Sequence, residues 1–295
     1  MTKILITGSS GQVGSYLIKY LSKKYEIIGL CRHPLKDKVS INGDIRDITL
    51  INDLTKKVDI IIHTAAQLNT PVSLQNIILD AEININGTLN LLSAARINNV
   101  SKFIYFSTSS VYGNYKYLPI DEEHPLNPIS SYGISKLTGE RYCHLFNTLF
   151  DLSTVCIRPF NIYSTNENLN GPYVSVVSIF ADKIKKNEPL TIRGDGKQIR
   201  DFVHVKDVAS FVKILLERSD VTDQTYNLGS GNPIHILDLA KLILKTYKKD
   251  ESYIRYEKGE ERKIEHSYAD ITKAKKIGYN PQITIEEGLI GDGDI

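Results

Sequence analysis

A chain of 295 residues, 41% hydrophobic and 24% charged, can bury one large core or two smaller ones. Its net charge of +2 supplies no field that would single out nucleic acid or a membrane surface as a partner. No apolar stretch is long enough to span a bilayer, and the opening MTKILITGSSG lacks a signal-peptide layout, so a cytoplasmic protein is expected.

The first half alternates short apolar runs with helical patterns. KILITG, YEIIGLC, VDIIIHTAA, KFIYFSTSS and LSTVCIRPF are near-continuous in Ile, Leu, Val and Phe, which predicts buried strands. Between them, QVGSYLIKYLSKK, DITLINDLTKK, INGTLNLLSAARINN and SKLTGERYCHLFNTLF read as helices, with Leu89, Leu92 and Ala95 recurring at helical spacing. This βαβα order predicts an α/β, Rossmann-like, doubly wound parallel sheet with helices on both faces.

After about Asn161 the rhythm changes. A polar, turn-rich STNENLNGPYVS precedes a helix through VVSIFADKIKKNEPL, and GDGKQIRDFVHVKDVASFVKILLERS reads as a turn, a short strand and another helix. TYNLGS is a candidate strand and ILDLAKLILKTYKK an amphipathic helix. The expected organisation is a dinucleotide-binding domain over 1–160 and a smaller α/β substrate lobe over 161–295, with a cleft between them. A strand and helix from about 203–230 are candidates to return to the first sheet. Cys31, Cys143 and Cys156 show no CxxC spacing and fit reduced thiols; the seven histidines form no HxxxH or HExxH array, so no metal site is expected.

ILITGSSGQVGSYLIKYL sets Gly8, Gly11 and Gly14 between the first strand and the first helix. Glycines there permit a tight turn and close backbone approach to a pyrophosphate at the helix N-terminus. The spacing is GxxGxxG rather than GxGxxG, and alone it also describes an ordinary strand–helix turn. The second strand ends in GLCRHP, without the acidic residue that would bind a ribose 2′-hydroxyl. Arg32 suits a 2′-phosphate instead, so the cofactor reading is NAD or NADP with a lean to NADP.

Two further stretches carry chemistry. SSYGISKLTGE places Tyr132 and Lys136 at i and i+4 on one helix face, and STSSVYG supplies hydroxyls after the fourth of the runs. Together with the glycine turn, these residues resemble the extended short-chain dehydrogenase/reductases, and within them the NAD-dependent epimerase/dehydratase branch that acts on nucleotide sugars. The resemblance runs from about Lys3 to about Gly288. It implies a cradle of Gly8, Ser10, Gly11, Gln12, Val13 and Gly14, an adenine contact at Asp44 and Ile45, and a cofactor-side loop at Ala65 and Ala66. It implies that Asn86 is the structural asparagine of the central helix and that Thr108, Tyr132 and Lys136 are catalytic. For a nucleotide-diphosphate sugar it implies Asn161, Arg200 and Arg262, with Arg193 a weaker candidate. It also implies a homodimer through the helices holding Asn86–Asn98 and Tyr132–Phe150.

The proposed chemistry follows from the side chains. A free phenol ionises near pH 10. Lys136 favours the phenolate by its charge, and an oxidised nicotinamide would add to this. Tyr132 can then exchange a proton with a sugar hydroxyl that Thr108 also binds. The 4,6-dehydratases of the family carry an Asp-Glu pair after the threonine; here Ser109 and Ser110 follow Thr108, which disfavours dehydration. The expected activity is epimerisation at C4 of the sugar. The alternatives are an NAD(P)H-dependent reductase or dehydrogenase of a keto-sugar nucleotide and, outside catalysis, an NAD(P)-binding sensor. One departure is Asn161-Ile-Tyr-Ser164 where relatives commonly read NxYGP, so sugar preference does not carry over.

Overall fold

Apolar runs form parallel strands here because helices cover both faces of the sheet and leave neither to water. The computed structural model describes residues 1–33, 39–68, 70–164, 167, 169, 171, 174–259 and 266–290. In chain order, β1 (Lys3–Thr7), α1 (Gln12–Leu21), β2 (Glu26–Cys31), β3 (Ser40–Asn42), α2 (Ile48–Thr55) and β4 (Ile60–His63) come first. Next are α3 (Thr70–Gln75), α4 (Ile77–Ala81), a π-turn at Glu82–Asn86, α5 (Gly87–Ile97), β5 (Lys102–Phe106), α6 (Ser131–Phe150) and β6 (Thr154–Pro159). Asp47 caps α2 by accepting Leu50 N–H at 3.0 Å, and Ser130 caps α6 by accepting Gly133 N–H at 3.0 Å. Helix α6 ends at Asp151, which adopts the left-handed conformation at φ 55°.

The chain continues through β7 (Asn161–Tyr163), α7 (Val176–Lys185), β8 (Leu190–Arg193), β9 (Ile199–Arg200), β10 (Phe202–His204), α8 (Val205–Glu217) and β11 (Gln224–Leu228). It closes with β12 (Ile234–His235), α9 (Ile236–Thr246), β13 (Ile254–Glu257), β14 (His266–Ser267), α10 (Thr272–Lys276) and α11 (Ile285–Ile290). The seven-stranded sheet runs β11-β6-β5-β4-β1-β2-β3. Strand order reverses between β1 and β4, the switch point outside whose carboxyl ends ligands bind in doubly wound sheets. Register brings Thr7 opposite both Leu30 and His63, and His63 opposite Tyr105, so these strand ends are level.

The described residues fall into two units, those within 1–113, 126–159 and 209–226, and those within 114–125, 160–208 and 227–295. One core of the first unit gathers Leu5, Ile61, Leu91, Phe103, Cys143 and Cys156. In the second, β7 pairs with β10 and β8 with β13, both parallel, while β9 takes β12 antiparallel and β14 parallel. Its core joins Phe180, Ile184, Ile192, Leu239 and Ile243. All three cysteines are buried and free. Among the described residues no helix is long and apolar enough to cross a membrane, and no group of three or more His, Cys, Asp or Glu side chains gathers as a metal site.

Candidate active site

The turn after β1 is built from close backbone approaches. Gly8 sits at φ +71°, and a Cβ there would come within 2.7 Å of the Ala65 nitrogen. A Cβ on Gly14 would overlap the Gly8 carbonyl. Gly8 N–H donates to Leu30 O at 2.8 Å, and Gly11 N–H to Gly8 O at 2.9 Å. Gly11 is the N-cap of α1, with no side chain capping the helix and no acidic residue in its first turn. The first turn of α1 thus brings no carboxylate of its own to its amides, which suits a diphosphate. Ser10 and Gly11 are exposed, Gln12 and Val13 half-buried, and Gly14 buried. These residues fit a dinucleotide: the glycines leave a cradle that a side chain would fill.

At the end of β2, Arg32 is exposed. Asp44 takes Arg46 Nη2 at 2.8 Å and Nε at 3.1 Å. That guanidinium holds the Asp44 carboxyl below the usual carboxylate range, and Arg32 adds to the effect. The Ile45 side chain is buried in the core against Gly87, so only its backbone is offered to a ligand on the open side. Ala65 and Ala66 are half-buried on the loop after β4.

Thr108 opens a short 3-10 turn, Ser109–Val111, by accepting Ser110 N–H on Oγ1 at 3.2 Å. The start of α6 lies on that turn: a Cβ at Gly133 would come within 2.7 Å of the Ser110 carbonyl. Farther along, a Cβ at Gly139 would strike the Tyr105 phenol, so α6 also lies hard on β5. These two approaches fix the level of Tyr132 and Lys136. Tyr132 is 8% exposed and Lys136 2%. The Lys136 ammonium stands 4.0 Å from the centroid of the Tyr105 ring. Burial brings its pKa down to about 8, opposed by Cys143, Glu140, Cys156 and Asp80.

In the second unit, Asn161 is half-buried on β7 and its side-chain amide donates to the Asp201 carbonyl at 2.9 Å. Asp201 is fully buried; its carboxylate accepts Ser230 N–H and Oγ, both at 2.7 Å, and the amides of Gly231 and Ala269 at 3.3 Å. It holds that loop cluster together. Arg200 on β9 is half-buried, with one guanidinium nitrogen on the Ile199 carbonyl at 2.7 Å, and Arg193 at the end of β8 is exposed. Arg262 lies outside the described residues.

Residues 4–229 match the profile of the NAD dependent epimerase/dehydratase family. The chain belongs to that family. Among its relatives, a Methanocaldococcus jannaschii protein that carries the provisional name UDP-glucose 4-epimerase is 37% identical over 300 residues, 97% of this chain and 95% of that one. The Thermotoga maritima UDP-glucose 4-epimerase, solved with UDP-glucose, superposes with a TM-score of 0.92 at 29% identity, covering 98% and 96% of the two chains. The Thermus thermophilus UDP-glucose 4-epimerase, solved with NAD, gives 0.87 at 26% identity, covering 98% and 96%.

Within this epimerase/dehydratase frame one residue differs from the sequence reading. Asn86 is exposed; the buried asparagine is Asn84, inside the π-turn. Asn84 Oδ1 accepts Gln67 N–H at 2.8 Å, and its Nδ2 donates to Gln67 O at 3.2 Å, to Asp80 Oδ1 at 3.0 Å and to Ser135 Oγ at 3.2 Å. It thereby ties the loop after β4 to the residue preceding Lys136. Asp80, 1% exposed, and His63, fully buried, also escaped the sequence reading. The HTAA and EININGT stretches name these residue types, but only the π-turn decides which asparagine points inward.

Proposed function

We propose that this chain is a nucleotide-sugar 4-epimerase that retains a nicotinamide dinucleotide, NAD, and acts on a uridine-diphosphate hexose. The observation that carries the reading is Tyr132 and Lys136, buried one turn apart where α6 rests on the Thr108 turn, in the unit that holds the glycine cradle. Gly8, Ser10, Gly11, Gln12, Val13 and Gly14 would hold the diphosphate of the dinucleotide, with Asp44, Ile45, Ala65 and Ala66 along its length. When bound, the nicotinamide supplies a reversible hydride acceptor.

The chain's own residues supply the rest. Lys136 stabilises the Tyr132 phenolate, whose oxygen takes the proton of the sugar's 4-hydroxyl and later returns it to the opposite configuration. Thr108 Oγ1 donates to the same sugar oxygen and fixes its distance from Tyr132. Asn161, Arg200, Arg262 and Arg193 would bind the substrate's diphosphate, a guanidinium fork matching phosphate oxygens in pairs. Ser109 and Ser110 offer no carboxylic acid, which argues against dehydration.

NAD rather than NADP is supported by the NAD in the Thermus thermophilus relative and by Asp44, on which the Arg32 charge already bears. The reading is tested by giving the purified protein UDP-glucose or UDP-galactose with no added cofactor. Interconversion of the two, lost by about 100-fold or more in Tyr132→Phe while NADH binding persists, is the expected result. Stoichiometric consumption of NADPH without interconversion would establish the reductase instead.

A further inference from the structure

A chain of buried hydrogen bonds crosses the carboxyl ends of β1 and β4, and the reaction as described makes no use of it. Ala65 N–H donates to Thr7 Oγ1 at 3.3 Å, and Thr7 Oγ1 lies 2.7 Å from His63 Nδ1. His63 Nε2 lies 3.0 Å from Thr88 Oγ1, and the Thr88 hydroxyl donates to the Asn84 carbonyl at 2.7 Å. Thr7, His63, Thr88 and Asn84 are all buried.

Counting protons gives the chain a direction. A hydroxyl has one proton, and Thr88 commits its own to Asn84. Its oxygen can then only accept from His63, so Nε2 carries the imidazole proton. In a neutral ring Nδ1 must accept, and it takes the Thr7 hydroxyl proton while Thr7 Oγ1 receives the Ala65 amide. Every donor has one acceptor. An imidazolium would have to donate from both nitrogens and would reverse the Thr7 end. Burial, and secondly the Lys136 charge, hold His63 well below the usual histidine range. The ring is 0% exposed, with the Phe103 and Tyr105 rings at 6.0 and 5.6 Å.

We propose that His63 is a positioning residue: a neutral imidazole protonated on Nε2, linking the Gly8 turn to Asn84 and, through Asn84 and Ser135, to the helix that carries Tyr132 and Lys136. Thr7 immediately precedes Gly8 and so fixes the cradle end. At the other end Asn84 sits in a π-turn, where the helix ladder changes register, and the Thr88 hydroxyl anchors its carbonyl. Ser135 Oγ, bound by Asn84, donates in turn to the Tyr132 carbonyl at 3.0 Å. The catalytic consequence rests on the epimerase reading; the tautomer and the coupling to cofactor do not.

The test is nitrogen NMR on 15N-histidine-labelled protein, with His63 assigned by His63→Asn. An unprotonated Nδ1 and a protonated Nε2, both unchanged from about pH 5.5 to 8, are expected. A Nδ1–H ring, or ordinary titration in that window, overturns the proposal. Thr88→Val removes the acceptor, so a mixed tautomer and a fall in kcat of about 10-fold or more with little change in sugar KM are expected, with Thr88→Ser restoring both. If the parent has no epimerase turnover, NADH affinity reads the coupling. A several-fold loss in Thr88→Val sustains the proposal, and an unchanged affinity with a mixed tautomer overturns it.

Discussion

At the scale of single residues, Lys136 decides how the site responds to pH. Burial is the main cause of its value of about 8, since a desolvated ammonium is disfavoured. The groups that face it are Tyr105 from β5, His63 from β4, Asp80 from α4, Cys156 from β6, and Glu140 and Cys143 from its own helix. Glu140 is already held by Arg158 through bonds of 2.9 and 2.7 Å, and the Cys156 thiol is pushed well above its usual range. Asp80 is therefore the facing carboxylate with no arginine partner among the described residues. As pH rises through about 8, Lys136 loses its charge and Tyr132 its support, so kcat/KM should fall on an alkaline limb with its midpoint near 8. Asp80→Asn keeps an acceptor for Asn84 but removes the charge; it should move that limb down by about half a unit to one unit. An unmoved limb would make Asp80 merely structural. Stability carries the opposite sign from a salt bridge. The folded value lies below the unfolded 10.5, so the cost of charging Lys136 is fully present below about 8 and is released as pH rises toward 10.5. Lys136→Met should abolish turnover yet raise the midpoint of thermal unfolding more at pH 7 than at pH 10.

At the scale of elements, what was legible in the sequence is what has one physical cause. Five strands of the large sheet, β1, β2, β4, β5 and β6, read as apolar runs because both faces are covered, whereas β3, with Ile41 and Asn42 exposed, gave no such run. The glycine turn read as a cradle because only backbone fits between Gly8, Gly14 and Ala65. Gly14→Ala should therefore prise α1 from the turn, weakening NADH binding by about 10-fold or more and lowering stability by about 1–3 kcal/mol. Fluorescence titration and denaturant unfolding measure the two, and an undiminished affinity would show that the cradle does not hold the dinucleotide. What was not legible depends on register or on distant partners. A 3.6-residue period cannot foresee the π-turn that rotates Asn84 inward and leaves Asn86 in water. Nor does the spacing of Gly133 and Gly139 reveal that one clears the Ser110 carbonyl and the other the Tyr105 phenol. His63 was visible only as a scattered histidine, because its partners Thr7 and Thr88 stand on other elements.

At the scale of the whole molecule, the outer surface of the first unit carries apolar side chains that its own core does not use. Ile134, Leu145 and Leu149 are exposed at spacings that align them on one face of α6, and Ile97 is 68% exposed at the end of α5. Beside them, Arg96 lies over the Phe150 ring at 3.8 Å, so α5 and α6 present their outer faces together. Exposed apolar side chains on two adjacent helices, with a net charge of only +2 to oppose self-association, suit a symmetric helix-on-helix interface. A second copy offering the same two helices would bury all four residues at once, giving a homodimer. Light scattering should return twice the chain mass. Leu145→Glu with Leu149→Glu places two charges on each side of the symmetry axis and should yield a monomer. Because Lys136 and Tyr132 face the sheet rather than this surface, the monomer should keep NADH affinity within about threefold of the parent. A double variant that remains dimeric would move the interface elsewhere. A parent that is monomeric at all concentrations would show that these residues serve no self-association.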